Sequence, residues 1–213
     1  MFSYSAATTL DLSSFDTSKV TIMSYMFRQS ATTTLDLSSF DTSNVTDMSA
    51  MFTNTKLTTI NLSNFDTSRV TRMNGMFSYS AATSLDLSNF DTSNVTTMSW
   101  MFAYSSATEI KGLDKFNTSK VTDMSSMFRE SKATSLDLSN FDTSNVTSML
   151  YMFYGSKATT LDLSSFDTSK VTDMSSMFWQ SKATTGYART QTDADKFNAS
   201  RNKPSGLTFV VKS

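Results

Sequence analysis

Apolar residues recur along the chain in two rhythms, and the pair of rhythms returns about every 25 residues. In the first, Leu10 and Leu12 alternate with Thr9, Asp11 and Ser13, the period-two pattern of a strand with one buried face. In the second, Val20, Met23, Met26 and Phe27 fall at i, i+3, i+6 and i+7, which predicts one apolar stripe of a short helix. Asp16, Thr17 and Ser18 stand just before that stripe and suit an N-cap. Serine and threonine inside the stripe are poor helix formers, so about two turns, held by packing more than by propensity, are expected. Phe15 and its equivalents at Phe40, Phe65, Phe90, Phe116, Phe141 and Phe166 should point inward between the two elements.

The strand phrase Leu10-Asp11-Leu12-Ser13 returns from Leu35, Ile60, Leu85, Leu136 and Leu161, with a variant copy at Ile110. All methionines but Met1 occupy the two columns that begin at Met23 and Met26, and Met1-Phe2 itself matches Met26-Phe27. A period of this length predicts seven stacked units, an α/β solenoid with one short parallel strand and one short helix per unit. A single unit buries too little apolar surface to offset the entropy of ordering its backbone, so the units must stack. The register also predicts that the chain starts in mid-unit, as a piece of a longer array without its signal or anchor. An extra residue near Ile110-Lys111-Gly112-Leu113 calls for a local bulge at Gly112. The repeats span 1–185. At Gly186 the register holds glycine in place of leucine, and 186–213 reads as a capping segment. Within it a helix is expected over 190–200 and a last strand over 207–211.

Composition narrows the chemistry. The chain has no cysteine and no histidine, which removes disulfides, thiolate nucleophiles, zinc–thiolate sites and imidazole acid–base catalysis. Eighteen basic residues against nineteen acidic ones, scattered along the chain, give a net charge of −1 and argue against nucleic acid as a partner. No apolar run is long enough to span a membrane, so this stretch is not expected to insert into one.

The unit Leu-Asp-Leu-Ser followed by Phe-Asp-Thr-Ser-Asn-Val-Thr-Asp-Met-Ser-Ser-Met-Phe, seen nearly intact from Phe40 to Phe52 and from Phe116 to Phe128, closely resembles the BspA-like leucine-rich repeat of bacterial surface proteins. The same unit occurs in mycoplasma and listerial surface lipoproteins, and Thr185 to Gln191 looks like the element that closes such arrays. The resemblance implies a leucine-rich-repeat solenoid at the bacterial cell surface, secreted, often assigned to adhesion, with no catalytic residues and no cofactor. Two columns depart from the family pattern. The first strand leucine is mostly small here (Ala7, Thr32, Ala82, Ala107, Ala133, Ala158). A column often occupied by cysteine holds Ser5, Ser30, Thr55, Ser80, Ser105, Ser131, Ser156 and Ser181, which suggests a tighter, more polar corner.

The columns carry the candidate chemistry. Asp11, Asp36, Asn61, Asp86, Asp137 and Asp162 form a ladder that either binds cations or is neutralised by nearby hydroxyls; the second is expected. Glycoside hydrolysis needs two carboxylates in unlike environments, and identical units make identical sites. The methionine columns read as core filling. No enzyme and no metal site is expected. What varies between units is more informative, because exposed Tyr, Trp and Arg among small polar residues resemble binding surfaces. Tyr25, Tyr79, Trp100, Tyr104, Tyr151, Tyr154 and Trp179 are the candidate binding residues. Tyr79, Trp100 and Tyr104 are expected to form one cluster and Tyr151, Tyr154 and Trp179 a second, further along. The expected function is a monomeric, non-enzymatic interaction module for a host or bacterial surface protein or glycan. The alternative is a spacer that holds another domain away from the cell wall.

Overall fold

The computed structural model describes residues 1–212. It contains short strands in parallel sheets and few helices. β1 (Ser84–Asp86) pairs in parallel with β2 (Glu109–Lys111), Leu85 opposite Ile110. β3 (Thr160–Leu163), β4 (Thr185–Ala188) and β5 (Thr208–Val211) form a three-stranded parallel sheet in that order. Leu12, Leu37, Leu62, Leu87, Leu138 and Leu163 all lie in the core. The preceding apolar column is closed only where strands are formed. Leu85, Ile110 and Leu161 are buried, whereas Leu10, Leu35, Ile60 and Leu136 are only partly so.

The expected helix in every unit is not there. Helical structure is confined to a 3-10 turn at Leu113–Lys115 and to α1 (Gln191–Asn198), among the described residues. In place of the helix, each unit first makes a parallel bridge to the next, in the series Ile22, Asp47, Arg72, Thr97, Asp123, Ser148 and Asp173. Three overlapping β-turns follow. Met26 N–H donates to Met23 O (3.2 Å), Arg28 N–H to Tyr25 O (3.2 Å), and Ser30 N–H to Phe27 O (3.1 Å). Tyr25 (φ 58°) and Gln29 (φ 55°) sit in the left-handed region at the third position of the outer two turns, the geometry of a type II turn. A helix would direct these amides back along its own turn. Here they reach across to the next unit: Tyr25 N–H to Ser49 O, Phe27 N–H to Met51 O and Gln29 N–H to Thr53 O, at 2.8–3.0 Å. The apolar spacing survives because turns that advance about three residues bury the same positions as a helix. Phe27, Phe52, Phe77, Phe102, Phe128 and Phe153 form a buried column of near-parallel rings, centroids 5.5–5.9 Å apart up to Phe153.

Asp16, Thr17 and Ser18 therefore cap no helix. The Asp16 carboxylate accepts from the Ser18 amide (2.9 Å) and hydroxyl (2.6 Å), closing a local turn. Buried Thr17 joins units: its hydroxyl donates to Asp41 O (2.9 Å) and accepts from Asp41 N–H (2.8 Å). The same two-bond staple repeats at Thr42, Thr67, Thr92 and Thr143, and the Thr118 hydroxyl makes the donating half of it to Asp142 O. Thr168 has no further unit of this kind ahead of it. Its amide (3.1 Å) and hydroxyl (2.7 Å) both donate to the Asp193 carboxylate of α1, which stands in for the missing backbone.

Two glycines carry the irregular places. Gly112 (φ 87°) leads into the 3-10 turn that absorbs the extra residue, and a Cβ there would lie 2.7 Å from the backbone of Leu87 and Ser88. Gly186, paired with Leu161 and Phe209, leaves the space that the Phe209 ring fills. That ring packs on Phe178 (4.8 Å) and Phe197 (5.0 Å), covering the end of the phenylalanine column.

Candidate functional site

Most left-handed turn positions present side chains outward, with Ala50 and Ser126 buried. One such column holds Tyr25, Ala50, Gly75, Trp100, Ser126, Tyr151 and Ser176; the other holds Tyr4, Gln29, Asn54, Tyr79, Tyr104, Glu130, Gly155 and Gln180. All but Ser176 and Gln180 of the last unit are pinned by the ladder to the following unit, which fixes the direction of the Cβ. The column just before the second one, Arg28, Arg129, Tyr154 and Trp179 among others, lies between them on the same surface.

These columns meet at Arg129. Its guanidinium carbon sits 5.4 Å from the Trp100 ring centroid, 5.6 Å from Tyr104, 5.1 Å from Tyr151 and 4.7 Å from Tyr154. Contacts of this kind stabilise a cation over a ring face by about 0.5–1 kcal/mol each when exposed. The band extends in both directions. Tyr79 stacks face to face on Tyr104 (4.4 Å, 6°), and Trp179 meets Tyr154 edge-on (5.4 Å, 78°). Burial, and then the neighbouring Tyr104, push the Tyr79 phenol above its ordinary pKa. The two clusters expected from the sequence are thus one continuous band, with Arg129 as the piece that joins them. Arg129 belongs to a varying column, but its central place follows only from three-dimensional packing. Tyr25 is apart: it packs with Arg28 (5.5 Å), which also lies 5.5 Å from Tyr4.

Arg129 makes no side-chain hydrogen bond or ion pair among the described residues, and its Nε is buried without an acceptor. Beside the band, the column after the corner Ser or Thr holds Ala6, Ala31, Lys56, Ala81 and Ser106, and then lysine in three consecutive units, Lys132, Lys157 and Lys182. Lys157 reaches Glu130 at 3.7 Å, while Lys132 and Lys182 are exposed and carry no ion pair. The run of three lysines in successive units of one column is readable in the sequence.

The acidic ladder is occupied by its own chain. Asp11 accepts from the Ser13 amide (3.0 Å) and hydroxyl (2.7 Å), and Asp36, Asn61, Asp86, Asp137 and Asp162 each accept from the amide two residues on. The serine hydroxyl, then the amide, hold Asp11 and Asp86 below the ordinary carboxylate pKa, and at Asp36 the amide contributes first. At Asp162 burial opposes, and the bonds from Lys212 and Ser164 outweigh it. Among the described residues no three acidic side chains converge as metal ligands would, and no helix is long and apolar enough to cross a membrane.

Near-identical units, joined in parallel through their backbones and threonines and varied only on their outward turns, define a β-rich repeat protein. The chain belongs to the family described as "Mycoplasma protein of unknown function, DUF285", which matches residues 1–111 and again 96–202. No curated protein and no solved structure was found to match it.

Proposed function

We propose that the chain is a non-enzymatic interaction module displayed at a bacterial cell surface, binding a partner through the band from Tyr79 to Trp179. The observation that carries this reading is the joining of Trp100, Tyr104, Tyr151 and Tyr154 around one unpaired arginine. Tyr, Trp and Arg are the residues in which interface energy concentrates, and rings fixed by one another lose little entropy on binding. The solenoid architecture of BspA-like leucine-rich repeats belongs to the same proposal. Its support is the unit length of about 25 residues, the Leu-x-Leu strand phrase and the parallel bonding of successive units. Placement at the surface, secretion and a monomeric state rest on that resemblance.

The test is a surface-plasmon screen of the chain against bacterial and host surface proteins and glycans. Ligands found are then measured with the double variant Trp100→Ala/Tyr151→Ala. Both rings hang on outward turns, so the variant should keep its thermal midpoint within about 3 °C, roughly the shift from 1 kcal/mol at this size. It should lose about tenfold or more in affinity. A variant that melts early and binds normally would make these rings packing residues. The spacer reading would then be the better one, as the Ser/Thr-rich surface of the first units suggests.

A further inference from the structure

The band and its lysines together carry a statement about the partner's chemistry, resting on the reading above. Elsewhere on the surface the chain keeps stacked cations apart. In the column Lys19, Asn44, Arg69, Asn94, Lys120, Asn145, Lys170, every second unit is asparagine. Arg69, Lys120 and Lys170 donate to the Asn44, Asn94 and Asn145 side chains at 2.6–2.8 Å. Lys132, Lys157 and Lys182 have no such spacing. They occupy consecutive units, separated by roughly 4.8 Å per step, where like charges repel unless an anion lies between them. Only Lys157 has an acidic neighbour, Glu130. Arg129 adds a fourth cation whose guanidinium has no acceptor. A chain of net charge −1 thus stacks lysines in three consecutive units beside the aromatic band that surrounds Arg129.

We propose that this surface binds an acidic segment of a protein partner, its carboxylates meeting Arg129 and the lysine column and its apolar side chains lying along the rings. Arginine presents a planar fork of donors matched to a carboxylate, and rings that hold the fork in place reduce the entropy lost on pairing. Four unit steps separate Tyr79 from Trp179, roughly 19 Å at 4.8 Å per step, the length of about six extended residues. The face a globular partner needs for a standard interface, ~800 Å², is about 28 Å across if square and so longer than the band, and a segment fits better. An acidic glycan fits less well. Sugar rings dock on free aromatic faces, and here Tyr79 and Tyr104 cover each other at 4.4 Å while four rings face Arg129.

Fluorescence anisotropy of a fluorescein-labelled copolymer of glutamate and tyrosine, titrated with the whole chain, reads the proposal directly. The copolymer should bind, and binding should weaken steeply with added salt. Arg129→Gln should weaken it about tenfold or more. The exposed double variant Lys132→Ser/Lys182→Ser, which leaves the core untouched, should weaken it about fivefold. Arg28→Gln, the same column without adjacent lysines, should change nothing. A lysine–tyrosine copolymer should not bind, and hyaluronan should not compete. Absence of copolymer binding, equal affinity in the Lys132/Lys182 variant, or competition by hyaluronan as strong as by unlabelled copolymer each overturns the acidic-segment proposal. If the surface-plasmon screen still yields a ligand lost in Trp100→Ala/Tyr151→Ala, the interaction reading stands without it.

Discussion

Thr92→Val isolates what a threonine staple contributes. The two side chains have nearly the same shape, so packing is preserved and only the hydroxyl is lost. Thr92 is buried, donates to Asn117 O at 3.0 Å and accepts from Asn117 N–H at 2.8 Å, so both backbone groups of the next unit lose their partner at once. At a net ~1 kcal/mol per hydrogen bond, the loss should be about 2 kcal/mol. For a chain of this size that lowers the melting temperature by about 4–8 °C. Thr92→Ser keeps the hydroxyl and should stay within about 1 kcal/mol of the parent. Calorimetry and urea unfolding of the three proteins measure both differences. Contacts in a repeat array are nearest-neighbour, so a weakened middle junction should also broaden or split the transition. A valine variant within about 0.5 kcal/mol of the parent would show that water replaces the hydroxyl freely and that the staple does not hold units together.

Two further outcomes follow from the structure. At Asp193 burial would raise the carboxyl pKa, but bonds from Thr168, Thr190 and Arg189 outweigh it and hold it below the ordinary value; the stability it confers is therefore present above about pH 4 and lost as the pH falls through the lowered folded value. Asp193→Asn should cost about 1–2 kcal/mol at pH 7 and nothing extra in acid, read as convergence of the two urea midpoints on acidification. Gly112→Ala should be far more costly than Gly75→Ala, by circular dichroism melts: its Cβ would meet Leu87 and Ser88 backbone at 2.7 Å, whereas at Gly75 the nearest atom is 3.8 Å away.

The strands at Leu85, Ile110 and Leu161, the buried Leu12 and Phe27 columns and the closing helix and strand were legible because each rests on a local pattern with one physical meaning, whereas the strands expected at Leu10, Leu35, Ile60 and Leu136 do not form. The expected helix gives way to turns because the apolar spacing is ambiguous. Spacing of i, i+3, i+6 and i+7 fits a helix, but it equally fits tandem turns with their apolar residues on the inside. The discriminating signal lay in the residues between. In a chain crowded with threonine, the Tyr25 and Tyr4 columns contain no threonine, valine, isoleucine or proline. Those residues are the ones that a left-handed backbone tolerates least. Read for what is excluded, the same sequence would have predicted turns. The aromatic candidates were visible as composition, but their union around Arg129 was not, because it depends on which way a left-handed residue points its Cβ.

The same left-handed positions explain why this surface is free to vary. Each non-glycine residue held there costs about 1–2 kcal/mol, and the cost comes from the backbone and Cβ. It is therefore nearly equal for Tyr25, Ala50, Trp100, Ser126 and Tyr151, all at φ between 54° and 61°. The opposing stabilisation comes from the ladder, such as Tyr25 N–H to Ser49 O and Trp100 N–H to Ser125 O at 2.9 Å, in which no side chain takes part. Where the position is exposed, as at Tyr25 and Trp100, an exchange among unbranched side chains thus changes the surface while leaving strain, ladder and core as they were. Glycine, which would relieve the strain, stands at only Gly75 and Gly155. Elsewhere the chain carries the strain and keeps a side chain. Trp100, Tyr104 and Tyr151 are among those side chains, and their rings surround Arg129.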